Sequence, residues 1–412
     1  MCIAKYIKGG EEMRSRKEWV LWAIFVVSTA LLLALAPAFN ASAQAQKAKG
    51  LKIGVILSVT GPGSEAEMEE RQGVLMARDW INGKGGITIK GENYLVDLIH
   101  EDSKATIDGA VAAATKLVAR DKIKFIIGLS RPDMAIAVHS VTEPAKTIKV
   151  ITFGAGVPGL ISDKTPYTFR TFPCGAEAIP VHYRYLTKAY PNVKTIALIG
   201  DDSPGGKFFI SVSENVAKSS GLTVVFKEHY PFGTEDFYPL WSKIMAAKPD
   251  ALDAGVAYRR TIVSILKQGR ELRYEGPIMH QSSSELFQIR DAVGKEFATH
   301  FFNGSIDVQK PNTPTLKVIA KAAGRELRGA WIDGWDALWC LVQAIEKAQT
   351  FDSTQVAATW EKMQSIETSF GTGHMGGLKT YGINHLVVRP MPVSRLEKGE
   401  VEFVNWFMPD LP

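Results

Sequence analysis

The strongest constraint on this chain is an alternation of strand-like and helix-like stretches that starts once and then starts again. KIGVILSV (52–59) is apolar enough for a buried strand, and a Gly-Pro-Gly loop separates it from the helical pattern around GVLMARDWIN. YLVDLIHED (94–102) reads as the next strand. In TIDGAVAAATKLVAR, Val111, Ala114, Leu117 and Val118 then fall on one helical face. KFIIGL (124–129) and KVITFGA (149–155) continue the series, with the helical SRPDMAIAVHSVTEPA between them. The series reopens with TIALIGDD (195–202), followed by LTVVFKEHY, DALDAGVAY and GPIMHQSS, each pair separated by an amphipathic stretch. Element order repeats at a shift of roughly 130–145 residues. Short strands spaced by helices imply parallel sheets covered on both faces. The expected fold class is therefore α/β, with two doubly wound parallel-sheet domains whose ligand-facing loops lie at the carboxyl ends of the strands.

Two domains also suit a length of 412 residues. Nothing of low complexity separates the halves, so the chain is expected to cross between them near 170, 303 and 375, a multi-strand hinge rather than a free linker. The expected boundaries are 51–172 with 304–374 for the N-terminal lobe, and 173–303 with 375–412 for the C-terminal lobe. VEFVNWF (401–407) reads as strand.

The first 43 residues are different. Arg14, Arg16 and Lys17 precede an uncharged run from Trp19 to Leu35, and Ala41-Ser42-Ala43 supplies a small-residue exit. That order is a cleaved secretory signal peptide, with an uncleaved anchor as the alternative. Met13 is an alternative start. Residues 1–43 hold five of the 48 basic and three of the 43 acidic residues, so the remainder carries +3. There is no basic stripe, which argues against a nucleic-acid partner. Cys2 leaves with the signal segment. Cys174 and Cys340 remain, no disulfide framework, although an oxidising compartment permits one pair.

Catalytic machinery is hard to find. GDDSPGGK (200–207) lacks the phosphate-loop spacing, and Lys207 is followed by Phe rather than a hydroxyl residue. GKGG (83–86) and GTGHMGG (371–377) lack the strand–helix context of a dinucleotide fingerprint. The eight histidines form no H-x-x-x-H pair, and no G-x-S-x-G elbow occurs. An enzyme is not expected, and no cofactor or metal. Binding between two lobes needs less.

TGPGSEAEMEERQGVLMARDWINGKGGI (60–87), EDSKATIDGAVAAATKLVARDKIKFIIG (101–128), YTFRTFP and GINHL together resemble the leucine/isoleucine/valine-binding protein family. These are the type I periplasmic solute-binding proteins of ABC transporters. The resemblance spans nearly all of 51–400. It implies a monomeric periplasmic receptor that passes a small-molecule ligand, a carboxylate or amino acid, to an ABC permease in the inner membrane. A sensing subunit with the same cleft is the alternative. The family's bracing cysteines would fall near Lys104 and Ser130, so that disulfide is absent.

The resemblance also points to the site, and there the chain departs from the family. Where the family has adjacent hydroxyl residues after the third strand, this chain has Ser130 and then Arg131-Pro132. The next strand ends in Phe153-Gly154-Ala155. Near Gln281 and Ser282, where the family places an acid for the ligand's ammonium, the residues are neutral. Glu65 and Ala66 match a ligand-touching loop, and Tyr258 the expected aromatic. Arg131 offers a planar fork that can grip a carboxylate, and losing the ammonium partner favours an aromatic or short-chain acid. An aliphatic amino acid or an amide remains open, as does a simple Arg131–Asp133 pair. Phe153 faces cleft or core. Asp202 reaches a ligand hydroxyl or caps a helix. Trp331 is a cleft or core residue, while Trp335 and Trp339, four apart, suit a buried face.

Overall fold

The computed structural model describes residues 49–152, 157, 159–173, 175–306, 310–324, 327–409 and 411. Residues 1–43, Phe153, Gly154, Ala155 and Cys174 lie outside them, so the readings made for those residues have no structural description. Among the described residues no helix is long and apolar enough to cross a membrane.

Two sheets carry the chain from Gly50 onward. The first runs β12-β13-β14-β6-β5-β4-β1-β3-β2. Its early strands are β1 (Lys49–Leu57), β2 (Ile87–Ile89), β3 (Glu92–Asp102), β4 (Phe125–Gly128), β5 (Ile148–Ile151) and β6 (Thr168–Arg170). It is completed by β12 (Ile366–Thr368), β13 (Gly371–Gly376) and β14 (Leu386–Val388). The second runs β16-β15-β11-β10-β9-β7-β8. It holds β7 (Thr195–Asp201), β8 (Thr223–Tyr230), β9 (Ala251–Asp253), β10 (Ile278–His280), β11 (Phe301–Asn303), β15 (Met391–Glu397) and β16 (Glu400–Phe407).

The repeat seen in the sequence is a repeat of topology. In each sheet the opening strand sits between the second and third of its series, β3-β1-β4 and β8-β7-β9, and two further strands follow. From β1 through β4, β5 and β6, and from β8 through β7, β9, β10 and β11, the pairings are parallel. The sheets are mixed, since β2 and the late strands add antiparallel edges.

The chain passes from one sheet to the other after β6, after β11 and between β14 and β15. The last passage falls at Arg389-Pro390, not near 375. The reason is packing: Leu386, Val387 and Val388 are fully buried and pair with β13 on one side and β6 on the other. Thr171 accepts a 3.2 Å hydrogen bond from Arg389 Nε, and Ser305 accepts one of 2.8 Å from Ser394, so the passages are tied to one another. A buried ion pair braces the first of them, Arg170 to Glu177 at 2.6 Å.

The first lobe is held by a close helix crossing. Helix Ser64–Gly83 lies on helix Gly329–Ala348 with glycine at the contact on both sides. A Cβ on Gly73 would sit 2.0 Å from the Trp331 carbonyl oxygen, and one on Gly334 2.0 Å from that of Glu70. Backbone therefore meets backbone, which fixes the distance and brings Glu70 beside the buried acids of the second helix.

Candidate functional site

A cavity with about 1020 Å³ of empty space, its open mouth included, lies where the lobes and the three passages meet. Its walls are mostly apolar, with Phe172, Phe209, Ile306, Ile332, Phe370 and Met391 among them. The polar points are fewer: His182, Gln281, Ser282, Ser283, Glu285, Ser305, Asp333 and Arg389. Apolar walls with a handful of placed polar groups are the ordinary make-up of a small-molecule site.

On the second lobe, a chain of hydrogen bonds sets the state of His182. Asp253, at the end of β9, accepts from the Gly255 amide (2.9 Å), the Tyr183 hydroxyl (3.0 Å) and Gln281 Nε2 (3.0 Å). Burial raises the Asp253 pKa, and these three donors work against that shift. With its amide nitrogen turned to Asp253, Gln281 presents Oε1 to His182 Nδ1 at 2.6 Å, so Nδ1 carries the proton and donates. Burial lowers the His182 pKa to about 4, and the Gln281 bond opposes this only in part. His182 is neutral near pH 7, and its Nε2 is an acceptor with no hydrogen-bond partner among the described residues.

Arg389 follows β14 at the hinge. Its side chain is 1% exposed and lies 3.6 Å from Asp333 and 3.8 Å from Asp336. The guanidinium stands 4.2 Å from the Phe370 ring centre, and Phe172 flanks it at 6.0 Å. Burial pushes the Asp333 and Asp336 carboxyls upward, against the pull of Arg389. Asp336 also accepts from the Ser369 amide (2.8 Å) and hydroxyl (2.7 Å), which makes it the better ionised partner. Arg389 Nη1 is buried and lacks a hydrogen-bond partner among the described residues.

On the first lobe, the strand-end hydroxyls turn inward. Ser130 and Thr152 both donate to Glu70 Oε2, at 2.5 and 2.6 Å. Leu129 holds a left-handed backbone (φ 65°) just before Ser130 and is buried, so the chain turns sharply there. Burial raises the Glu70 pKa to about 7 despite those two hydrogen bonds. Arg131 is engaged locally: its Nη2 lies 2.5 Å and its Nε 3.2 Å from Asp133, and Nη1 donates to the Ala105 carbonyl at 2.9 Å. This is the local pair left open above.

Of the other expected residues, Gln281 and Ser282 line the cavity. Glu65 and Ala66 are exposed at the start of their helix. Tyr258 is 71% exposed, its ring edge-on to Phe232. Asp202 does not cap the following helix. Ser203 does, accepting from the Gly206 amide at 3.1 Å, while Asp202 accepts from the Phe232 amide. Trp331 is a core residue, as are Trp335 and the partly buried Trp339; its neighbours Ile332 and Asp333 reach the cavity instead. His280 Nε2 donates to the Ala257 carbonyl at 2.9 Å and so serves the loop after β9. Cys340 is buried and free. Among the described residues no group of three or more His, Cys, Asp or Glu is gathered as a metal site.

The periplasmic binding protein family model matches residues 50–400. The chain belongs to that family. A leucine-, isoleucine-, valine-, threonine- and alanine-binding protein of Pseudomonas aeruginosa is 28% identical over 340 residues, 79% of this chain and 85% of that one. Among solved folds, a branched-chain amino acid transporter substrate-binding protein of Streptococcus pneumoniae, in complex with isoleucine, superposes with a TM-score of 0.70. It is 19% identical and covers 88% of this chain and 100% of its own. A solute-binding protein of an R. palustris ABC transporter, in complex with 4-hydroxybenzoate, also gives 0.70, at 17% identity over 88% of this chain and 98% of its own. The two-lobed architecture is thus that of the type I periplasmic binding proteins. His182 and Arg389 escaped the sequence reading: one lies mid-helix in PVHYRY, the other in VVRP after β14, a strand the sequence reading did not mark.

Proposed function

We propose that this periplasmic binding protein is the exported solute-capturing component of an ABC importer. It binds a small carboxylate between its lobes and hands it to an inner-membrane permease. The observation that carries the reading is the cavity itself, walled from both lobes and backed by a buried arginine at the hinge. The Arg389 guanidinium sets a positive charge beside the cavity, which favours an anionic solute, although its Nε donates to Thr171 and its Nη2 faces Asp333. The apolar walls favour an aromatic or short-chain acid. Export through residues 1–43 accords with the family, and a mature chain beginning at Gln44 in the mass of the secreted protein would support it.

A second reading has its own support. Glu285 lines the cavity, 3.8 Å from Arg259, and could meet an ammonium, as an aliphatic amino acid requires. A thermal-shift screen separates the two. A ligand held at 100 times its dissociation constant adds about 2.7 kcal/mol to stability. Carboxylates lacking an α-amino group should raise the midpoint. A response to leucine, isoleucine or valine alone would favour the second reading, and silence across all small acids and amino acids would remove both.

A further inference from the structure

We propose that Asp333 sets the specificity of the cavity by meeting an anionic solute as a hydrogen-bond donor, so that capture of the anion requires a proton on that carboxyl. This rests on the solute-binding reading above and deepens it by naming the side chain, and its protonation state, that the solute meets. Asp333 lines the cavity, and its side chain is 9% exposed against 1% for Arg389 and 1% for Asp336. Among the described residues it accepts no hydrogen bond, and its approach to Arg389 Nη2 is a loose 3.6 Å. Asp336 is placed differently. It lies 3.8 Å from Arg389 Nε and accepts from both the amide and the hydroxyl of Ser369. A buried carboxyl without donors is costly to ionise, and one with two donors is less so.

The surroundings of Asp333 count against a further negative charge. Glu70 enters from helix Ser64–Gly83, which the glycine crossing presses against the helix that carries Asp333 and Asp336. Two carboxyls, Glu70 and Asp336, and one guanidinium, Arg389, therefore act on Asp333. Burial raises its carboxyl well above the ordinary carboxylate range, Arg389 opposes this, and Glu70 and Asp336 add to it. Of the other charged or titratable groups lining the cavity, His182 is neutral near pH 7 and Glu285 faces Arg259 at 3.8 Å. An anion brought against Asp333 adds one more negative charge and favours the protonated form further. Where the free site lacks that proton, it comes from solvent, and the solute's own carboxylate stays ionised. A protonated carboxyl donates to that carboxylate, whereas an ionised one repels it.

The test is isothermal titration of the mature chain with benzoate, 4-methylpentanoate and leucine at about pH 6 and about pH 8.5, where both simple acids are ionised throughout. For the acid that binds, affinity should fall about threefold or more at the higher pH, where buffers of different ionisation enthalpy should show proton uptake on binding. Asp333→Asn supplies a fixed donor of the same shape. It should keep the affinity measured at the lower pH within about threefold, and lose both the pH dependence and the proton uptake. Asp333→Leu should bind about tenfold more weakly at both. The wild-type profile stands even if a variant fails to fold. Equal affinity at both pH values without proton uptake overturns the proposal. So does a pH dependence that survives in Asp333→Asn and disappears in Glu70→Gln, which would assign the proton to Glu70. Leucine binding that is lost in Asp333→Asn would make Asp333 the partner of an ammonium, overturning the proposal while leaving solute binding intact. Failure of all three solutes, and of every acid and amino acid in the screen above, removes the solute-binding reading itself.

Discussion

At the scale of single residues, burial decides what a side chain can do. The chain contains two Arg-Pro pairs after strands, Arg131-Pro132 and Arg389-Pro390. The logic of a carboxylate fork was legible in the sequence, but the sequence cannot show which arginine faces away from solvent. The side chain of Arg131 is 46% exposed and paired with Asp133, whereas that of Arg389 is 1% exposed. Exposed pairs contribute little. Arg131→Ala should shift stability by less than about 1 kcal/mol and leave solute affinity within about threefold; a larger loss in titration would return the anchoring role to Arg131. Glu70 makes a sharper case. Its folded pKa of about 7 lies above the usual 4.5, so the folded state holds a proton that the unfolded state releases. Stability from this group is present below the unfolded value and is lost as pH rises through 7, by about 3 kcal/mol in all. Glu70→Gln removes that slope. Relative to wild type, the variant should therefore be more stable at pH 8 than at pH 4.5, measured by urea unfolding at both. Parallel curves would mean that Glu70 titrates normally.

At the scale of elements, strand identity was legible because the inner parallel strands, β4, β5, β9 and β10, are buried on both faces and read as apolar runs, while β3 and β8 are only partly buried. β4, β7, β8, β9 and β10 fall within the runs quoted, while β1, β3 and β5 overlap theirs and begin three, two and one residues earlier. The late antiparallel strands were harder. The apolar run in GINHLVV is only three residues long, Leu386–Val388, and its place is set by contacts more than two hundred residues away, such as the Arg170 amide on the His385 carbonyl at 2.9 Å. The glycine crossing was also invisible, because a helical glycine looks like a defect until its neighbour is known. Gly73→Ala should cost at least about 2 kcal/mol, since the new methyl meets a carbonyl that cannot retreat without separating two helices. Gly83→Ala, at the end of the same helix with nothing within 4 Å of the added atom, should be neutral or stabilising by up to about 1 kcal/mol. Equal effects in chemical denaturation would show that the crossing is not tight.

At the scale of the molecule, three passages between two sheets make the hinge stiff against twisting yet able to bend. The cavity at their meeting point is where bending changes the contacts most. A solute that touches both lobes binds the closed arrangement more tightly than the open one and draws the population toward it. His182 lies on one side of that bend and Asp333 on the other, with Arg389 at the hinge between them. Small-angle scattering of the mature chain, free and saturated with the tightest ligand from the screen, reads this motion. The radius of gyration should fall on saturation, with one ligand bound per chain. Identical scattering curves with and without bound ligand would mean that the solute is not held between closing lobes.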